Sequence, residues 1–315
     1  MKRTLSYMFQ WLCQLFLLYN RVPSSTPSVE IQRSSHWIWN YKEHSHKIHY
    51  EYYPCPSSNT SIVLIHGFGA STFQWRDNIP TLSKTHHVYA FDLLGFGQSD
   101  KPVHMEYTPE VWRDQTVDFV KEKISNNDVV IVGNSLGGYA SIYAASQMDV
   151  SSVILLNPVA VFRQRELPFT SWFHWIAQPV IFRWLFHYFQ SQIRPVLTTL
   201  YPCHPERVDD ALVQSIEEPA RDPNAREVFC KILQQQLAGK HPYMEDILQS
   251  VKMPVYLVVG KKDPWLLPTL YNDFLANCPT AFGKWVDAGH CPHDEIPDEV
   301  NHLILTFMTL SCEKI

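Results

Sequence analysis

Residues 133–138 read Gly-Asn-Ser-Leu-Gly-Gly directly after the apolar run Val129-Val130-Ile131-Val132, which sets Ser135 on a sharp strand-to-helix turn with its hydroxyl exposed above a sheet. That is where a nucleophile stands. A serine hydroxyl attacks poorly until an imidazole takes its proton, and the imidazolium so formed needs a fixed carboxylate. The chain supplies both, in the order nucleophile, acid, histidine. The strand-like run 255–259 leads into Gly260-Lys261-Lys262-Asp263, so that Asp263 lies just past the end of a buried strand. Lys284-Trp285-Val286 leads into Asp287-Ala288-Gly289-His290-Cys291-Pro292-His293, a loop able to carry a base to the same edge. His290, directly after the glycine, is the better base, and His293 is read as a solvated first-turn residue of the following helix. Asp263 is the candidate acid and Asp287 the next; the segment Asn157-Pro158-Val159-Ala160, which follows another strand-like run, holds no carboxylate.

The remaining need is a pair of donors for a developing oxyanion. Ile62-Val63-Leu64-Ile65 ends in His66-Gly67-Phe68-Gly69-Ala70-Ser71, a small-residue loop whose Phe68 N–H, with the N–H of Leu136, can point at that oxygen. His66 is read as a brace for the loop, not as a second catalytic histidine. A bare Gly-x-Ser-x-Gly also turns up in unrelated loops; the ordered set of segments is the specific signal.

Together these segments resemble the α/β-hydrolase superfamily, as a serine hydrolase with an inserted cap, over about residues 47–309. Asp92 to Asp100 resembles a loop of that fold, and Gly289-His290 with Pro292, Glu295 and Pro297 resembles its histidine segment. Within the superfamily the resemblance extends to the branch containing chlorophyll dephytylase and pheophytinase. It rests on His66 to Ser71, Phe73-Gln74-Trp75, Asp92 to Pro102, Gly133 to Tyr139, and Glu218-Pro219-Ala220-Arg221-Asp222-Pro223-Asn224-Ala225. The resemblance implies hydrolysis of a carboxylic ester of a lipophilic substrate without a cofactor or metal, with a phytyl ester of chlorophyll or pheophytin as the specific case. It also implies a chloroplast or other organelle. Relatives of this fold that act on haloalkanes or epoxides carry aspartate at the elbow, whereas this chain carries Ser135. A general lipid esterase or lipase, a carbon–carbon bond hydrolase, and a hydrolase-like ligand-binding protein are the alternatives.

The strands and helices must deliver those loops to one edge. Strands are expected at 48–53, 62–65, 87–91, 129–132, 153–156, 255–259 and 284–286, and helices at 109–124, 136–147 and 295–309. This alternation predicts a doubly wound, mostly parallel α/β sheet. The rhythm stops between 159 and 251, which reads as a helical cap between core segments 30–158 and 252–315. Phe169 to Phe189 is too apolar for one exposed helix face, and Trp172, Trp175 and Trp184 are its candidate substrate contacts. A greasy cleft suits a small lipophilic substrate carrying a long hydrocarbon or a flat ring. A peripheral membrane contact is the other use of such a surface.

Composition fits an enzyme core with an insertion: 315 residues, 45% hydrophobic and 18% charged. A net charge of −5 leaves no basic footprint for nucleic acid. The seven cysteines form no C-x-x-C pair, which argues against a zinc site and a dense disulfide framework, and Cys291 beside the base is assigned to packing. His44 and His46 alternate on an expected edge strand without convergent acidic or cysteine ligands, so no metal is assigned. Residues 1–29 carry no Asp or Glu and enclose a short apolar run from Met8 to Tyr19. They read as a targeting or membrane-surface segment and linker, with a secretory signal as the alternative.

Overall fold

The computed structural model describes residues 34–125, 128–162, 172–237, 242–266 and 268–312, so the proposed targeting segment lies outside the described residues. Eight strands form one sheet in the order β1-β2-β4-β3-β5-β6-β7-β8. They are β1 (Ser34–Tyr41), β2 (His44–Tyr53), β3 (Thr60–Ile65), β4 (His87–Phe91), β5 (Asp128–Asn134), β6 (Ser152–Leu156), β7 (Val255–Gly260) and β8 (Ala281–Val286). From β4 to β8 all neighbours are parallel, while β2 runs antiparallel to both β1 and β4.

The central strands are apolar without interruption because both faces are covered. Val63 and Ile65 of β3, Val129 and Ile131 of β5, and Val153 and Leu155 of β6 face one core layer. The intervening Ile62, Leu64, Val130, Val132, Ile154 and Leu156 face the other. The first layer is closed by helices α2 (Pro109–Lys123) and α3 (Leu136–Ala145), through Trp112, Phe119, Tyr139 and Ile142. The second is closed by α1 (Ile79–Leu82) and, from the chain's end, by Val300, Leu303, Ile304 and Phe307.

Strand β1 is absent from the sequence reading. It forms because Trp37 and Trp39 bury their rings against α2 while their indole N–H groups donate to Glu122 (2.7 Å) and Asp118 (2.9 Å). Its polar neighbours disguise this one-sided alternation. The edge assignment for His44 and His46 is corrected accordingly: β1 is the edge, and β2 lies second. Among the described residues no group of three or more His, Cys, Asp or Glu is arranged to hold a metal ion.

Between β6 and β7 run α4 (Trp172–Ser191), α5 (Ile193–Leu200), α6 (Asp210–Ala220), α7 (Ala225–Leu237) and α8 (Met244–Leu248). Ile193, Leu197, Leu200, Tyr201, Val208, Leu212 and Val213 form a small cap core resting on Cys291. Met244, Ile247, Leu248 and Val251 instead join the main core, as do Val228 and Ile232 of α7, so the segment between β6 and β7 is tied to the sheet through α7 and α8. Helices α9 (Pro268–Asn277), α10 (Pro292–Glu295) and α11 (Pro297–Cys312) complete the chain. Among the described residues no helix is long and apolar enough to cross a membrane.

Candidate active site

Ser135 is a non-glycine residue with φ of +53°, between the end of β5 and the start of α3. A turn this tight needs bare backbone on both sides. A Cβ on Gly133 would lie 2.3 Å from the carbonyl oxygen of Gly137, and one on Gly137 would lie 2.3 Å from that of Ile65. The Ser135 N–H donates to the carbonyl of Leu156 on the neighbouring strand (3.0 Å), which fixes the turn to the sheet.

The loops after β7 and β8 bring Asp263 and His290 to this serine. His290 Nε2 lies 2.9 Å from Ser135 Oγ, and His290 Nδ1 lies 2.7 Å from Asp263 Oδ2. The carboxylate can only accept, so the proton sits on Nδ1 and Nε2 accepts from the serine hydroxyl. The other oxygen of Asp263 accepts from the N–H groups of Trp265 (2.7 Å) and Leu266 (3.1 Å), leaving the carboxylate little freedom to rotate. The Trp265 ring packs on the imidazole at 4.8 Å. All three groups are nearly closed to solvent, where their mutual electrostatics are least screened.

The loop after β3 lies against the nucleophile. A Cβ on Gly67 would approach Ser135 Cβ to 3.2 Å. His66 braces this loop, as its sequence suggests: Nδ1 donates to the Gly67 carbonyl (2.7 Å) and Nε2 accepts from Leu93 N–H (3.0 Å). Phe68 follows immediately, and Leu136 opens α3, where first-turn N–H groups have no intrahelical acceptor. Beneath the loop, buried Asp92 accepts from Thr72 N–H (2.7 Å), Gln98 N–H (2.7 Å) and His49 Nδ1 (2.9 Å). Burial alone would raise the Asp92 carboxyl and lower the His49 imidazole. Their shared hydrogen bond and charge outweigh this, holding Asp92 below and His49 above its usual range.

One sequence-derived expectation changes, and two further candidates are placed. His293 is not solvated: it is fully buried, its ring stacked 4.2 Å from Trp75. Burial, reinforced by neighbouring histidines, pulls its pKa down to about 3. Asp287 points outward to Lys262 (3.4 Å) and does not meet the imidazole. Trp184 is 57% exposed and stacks on Tyr188, roughly half a helical turn from Phe182, which is buried, and from Phe186. The side chains of Trp172 and Trp175 lie outside the described residues. Cys291 is buried and packed as expected, and burial pushes its thiol well up.

Two asparagines escaped the sequence reading. Asn157 Nδ2 donates to the carbonyls of Gly289 (2.7 Å) and His290 (3.1 Å), while its Oδ1 accepts from Gly260 N–H (2.9 Å). Asn134 Nδ2 donates to the same His290 carbonyl (3.0 Å) and to Leu156 (2.9 Å). The signal for Asn157 was its position directly after β6, where it takes φ of +44°, a region asparagine tolerates better than most residues.

A mostly parallel sheet whose elbow, acid-bearing and histidine-bearing loops meet at one edge is the architecture of a hydrolase. Residues 62–303 match the Alpha/beta hydrolase family, and the chain belongs to it. It is 28% identical to the chloroplastic pheophytinase of Arabidopsis thaliana over 86% of this chain and 65% of that protein, and so spans less than two thirds of that relative. It is also 28% identical to the 2-hydroxy-6-oxo-6-(2'-aminophenyl)hexa-2,4-dienoic acid hydrolase of Metapseudomonas resinovorans, over 79% and 83% of the two chains. A probable hydrolytic enzyme from Pseudomonas aeruginosa shares the fold, with a TM-score of 0.73 at 21% identity over 87% and 93%.

Proposed function

We propose that this α/β-hydrolase cleaves carboxylic esters of lipophilic substrates through an acyl-enzyme on Ser135, and that the hydrogen-bonded line from Ser135 through His290 to Asp263 carries the reaction. Ser135 Oγ attacks the ester carbonyl while Nε2 of His290 takes its proton. Asp263 holds the Nδ1 proton in place and stabilises the imidazolium. The N–H groups of Phe68 and Leu136 meet the oxyanion, a contribution worth about a hundredfold or more per donor. Collapse expels the alcohol with the proton from His290. Water, activated by the same imidazole, then releases the acid.

The aromatic surface beside the nucleophile supports the lipophilic substrate. Phe68 lies 5.8 Å from Phe229 of α7, which lies 5.4 Å from Phe186 and 6.2 Å from Phe189 of α4. Hydrocarbon covered by such a surface gains roughly 0.8 kcal/mol per CH₂. This aromatic path takes over the role first given to Trp184. The finer reading is a phytyl ester of a chlorophyll-type ring, cleaved in the chloroplast, supported by the likeness to a chloroplastic pheophytinase. Trp184 with Ile181, both exposed on the cap, would then serve a peripheral membrane contact.

A fluorophosphonate probe should label the wild type and not Ser135→Ala. A lipid and pigment extract incubated with each protein and read by mass spectrometry should show phytol released by the wild type alone. Labelling without phytol release, and a preference for short soluble esters, would overturn the phytyl reading and keep the serine chemistry. Turnover of a vinylogous diketone in preference to any ester would favour carbon–carbon cleavage.

A further inference from the structure

We propose that Glu295 and Asp294 are positioning residues that make the base conditional on a docked cap: residues 200–209 of the cap hold His290 in reach of Ser135, and lifting that segment releases it. This rests on the reading that Ser135 and His290 do the chemistry.

The backbone of His290 is held from two sides. From the core, Asn134 and Asn157 donate to its carbonyl. From the cap, the carbonyl of Leu200, at the end of α5, accepts its N–H (2.9 Å). A Cβ on Gly289 would fall 2.2 Å from that same Leu200 oxygen, so the two backbones touch as closely as glycine permits.

Glu295 reinforces the second hold. One oxygen accepts from Gly289 N–H, and the other accepts from the N–H groups of Cys203 (2.7 Å) and His204 (3.0 Å). A single buried carboxylate thus ties the histidine loop to the cap connection. Asp294, equally buried, repeats the pattern. It accepts from Tyr201 Oη (2.7 Å), Arg76 Nε (2.9 Å) and Arg207 Nη2 (3.0 Å), while its own carbonyl accepts from Arg207 Nε (2.8 Å). Arg76 in turn grips both oxygens of Asp209 at 2.8 Å and the Arg207 carbonyl at 2.9 Å. Tyr201, Cys203, His204, Arg207 and Asp209 all belong to the cap. Lifting their segment would strip Glu295 of two donors, Asp294 of Tyr201 and Arg207, and Arg76 of Asp209, leaving only the Arg76–Asp294 pair and the Gly289 bond behind, which makes docking strongly favoured and opening all-or-none.

Glu295→Gln keeps one oxygen but must turn its NH₂ toward an N–H, at either Gly289 or the Cys203/His204 pair. Arg207→Ala cuts the link from the cap side. Both variants should show a maximal fluorophosphonate labelling rate, per titrated site and well below the melting temperature, about ten- to hundredfold lower than wild type. KM for a short soluble ester should change little. A purely structural staple would lower the melting temperature and leave that rate unchanged, which would overturn the proposal. Hydrogen exchange supplies a readout independent of turnover. Arg207→Ala, a cap substitution, should speed exchange at the Gly289 and His290 amides together with 200–209. Unchanged exchange at 289 and 290 would overturn the latch whatever the chemistry. Failure of the wild type to label at Ser135, with the exchange coupling intact, would overturn the chemical assignment alone.

Discussion

The sheet edge and the cap face opposite it are built on different principles. At the edge the reacting groups have prescribed partners: Oγ to Nε2, Nδ1 to Oδ2, and Oδ1 to two backbone N–H groups. Across from it, Phe229 meets Phe68, and Phe186 and Phe189 pack on Phe229, through ring contacts with no directional donor or acceptor. Proton transfer tolerates displacements of no more than tenths of an ångström, whereas burying hydrocarbon requires only area. Substitutions at the edge should therefore cost orders of magnitude in rate, and those in the cap a modest, length-dependent share of binding.

The largest expected effect tests the edge directly. Asp263→Asn keeps the shape and volume but replaces the acceptor facing Nδ1, favouring the wrong imidazole tautomer, and turnover should fall about 10⁴-fold with the fold intact. Steady-state kinetics on a chromogenic ester, with circular dichroism as the control for folding, measure it. Near-normal activity would mean that Asp263 is not the working acid. Asp287, exposed and paired with Lys262, could not replace it without moving its loop.

One step smaller is Asn157→Asp. The backbone at φ +44° accepts aspartate nearly as well as asparagine, so the substitution isolates the amide's hydrogen bonds. It withdraws both donors from the carbonyls of Gly289 and His290 and sets a carboxylate against them. The turnover number should fall about ten- to hundredfold, with KM nearly constant. A raised KM with unchanged turnover would place Asn157 in substrate binding instead.

The cap side should respond differently. Phe229→Ala removes the ring that joins Phe68 to α4, and kcat/KM for long-chain esters should fall about five- to tenfold, equivalent to roughly 1 kcal/mol. Acetate esters should be unaffected. An equal loss across chain lengths would show that the ring supports the oxyanion loop and does not cover hydrocarbon.

The same division explains what could be read in the sequence. Ser135, Asp263 and His290 were legible because each sits on a short apolar run followed by a turn, a pattern written in consecutive residues. The parallel strands were legible for the same reason, and their expected positions agree with the sheet within a few residues. Partnerships across long sequence separations were not. Asn157 reads as a missing carboxylate until the β8 loop is seen lying on its amide. Glu295 reads only as part of the histidine segment, and Asp294 carries no reading, until the cap segment descends onto them. Trp184 lies in a run, Phe169 to Phe189, too apolar for one exposed face, so periodicity alone does not say which side turns inward. Phe229, which makes the inward contact, belongs to a helix outside the aromatic run that drew attention.

His293 should leave the rate untouched and show in stability alone what burial does three residues from the proposed base. Its two ring nitrogens have no hydrogen-bond partner, and its pKa lies at about 3 against an ordinary 6.5, chiefly through burial. The folded value is depressed, so above pH 6.5 the ring is neutral in both states. As pH falls below that value the unfolded chain takes up a proton that the native chain refuses, and stability is lost progressively down to about pH 3. At roughly 1.4 kcal/mol per pH unit, the loss from this residue is about 2 kcal/mol by about pH 5. His293→Phe keeps the ring against Trp75 and strands no partner. Denaturant melts at about pH 8 and about pH 5 should show the variant gaining about 2 kcal/mol relative to wild type at the lower pH, whatever the packing change costs at the higher one. An identical difference at both pH values would mean that His293 titrates normally, and that the loop around His290 admits a proton that this buried position should exclude.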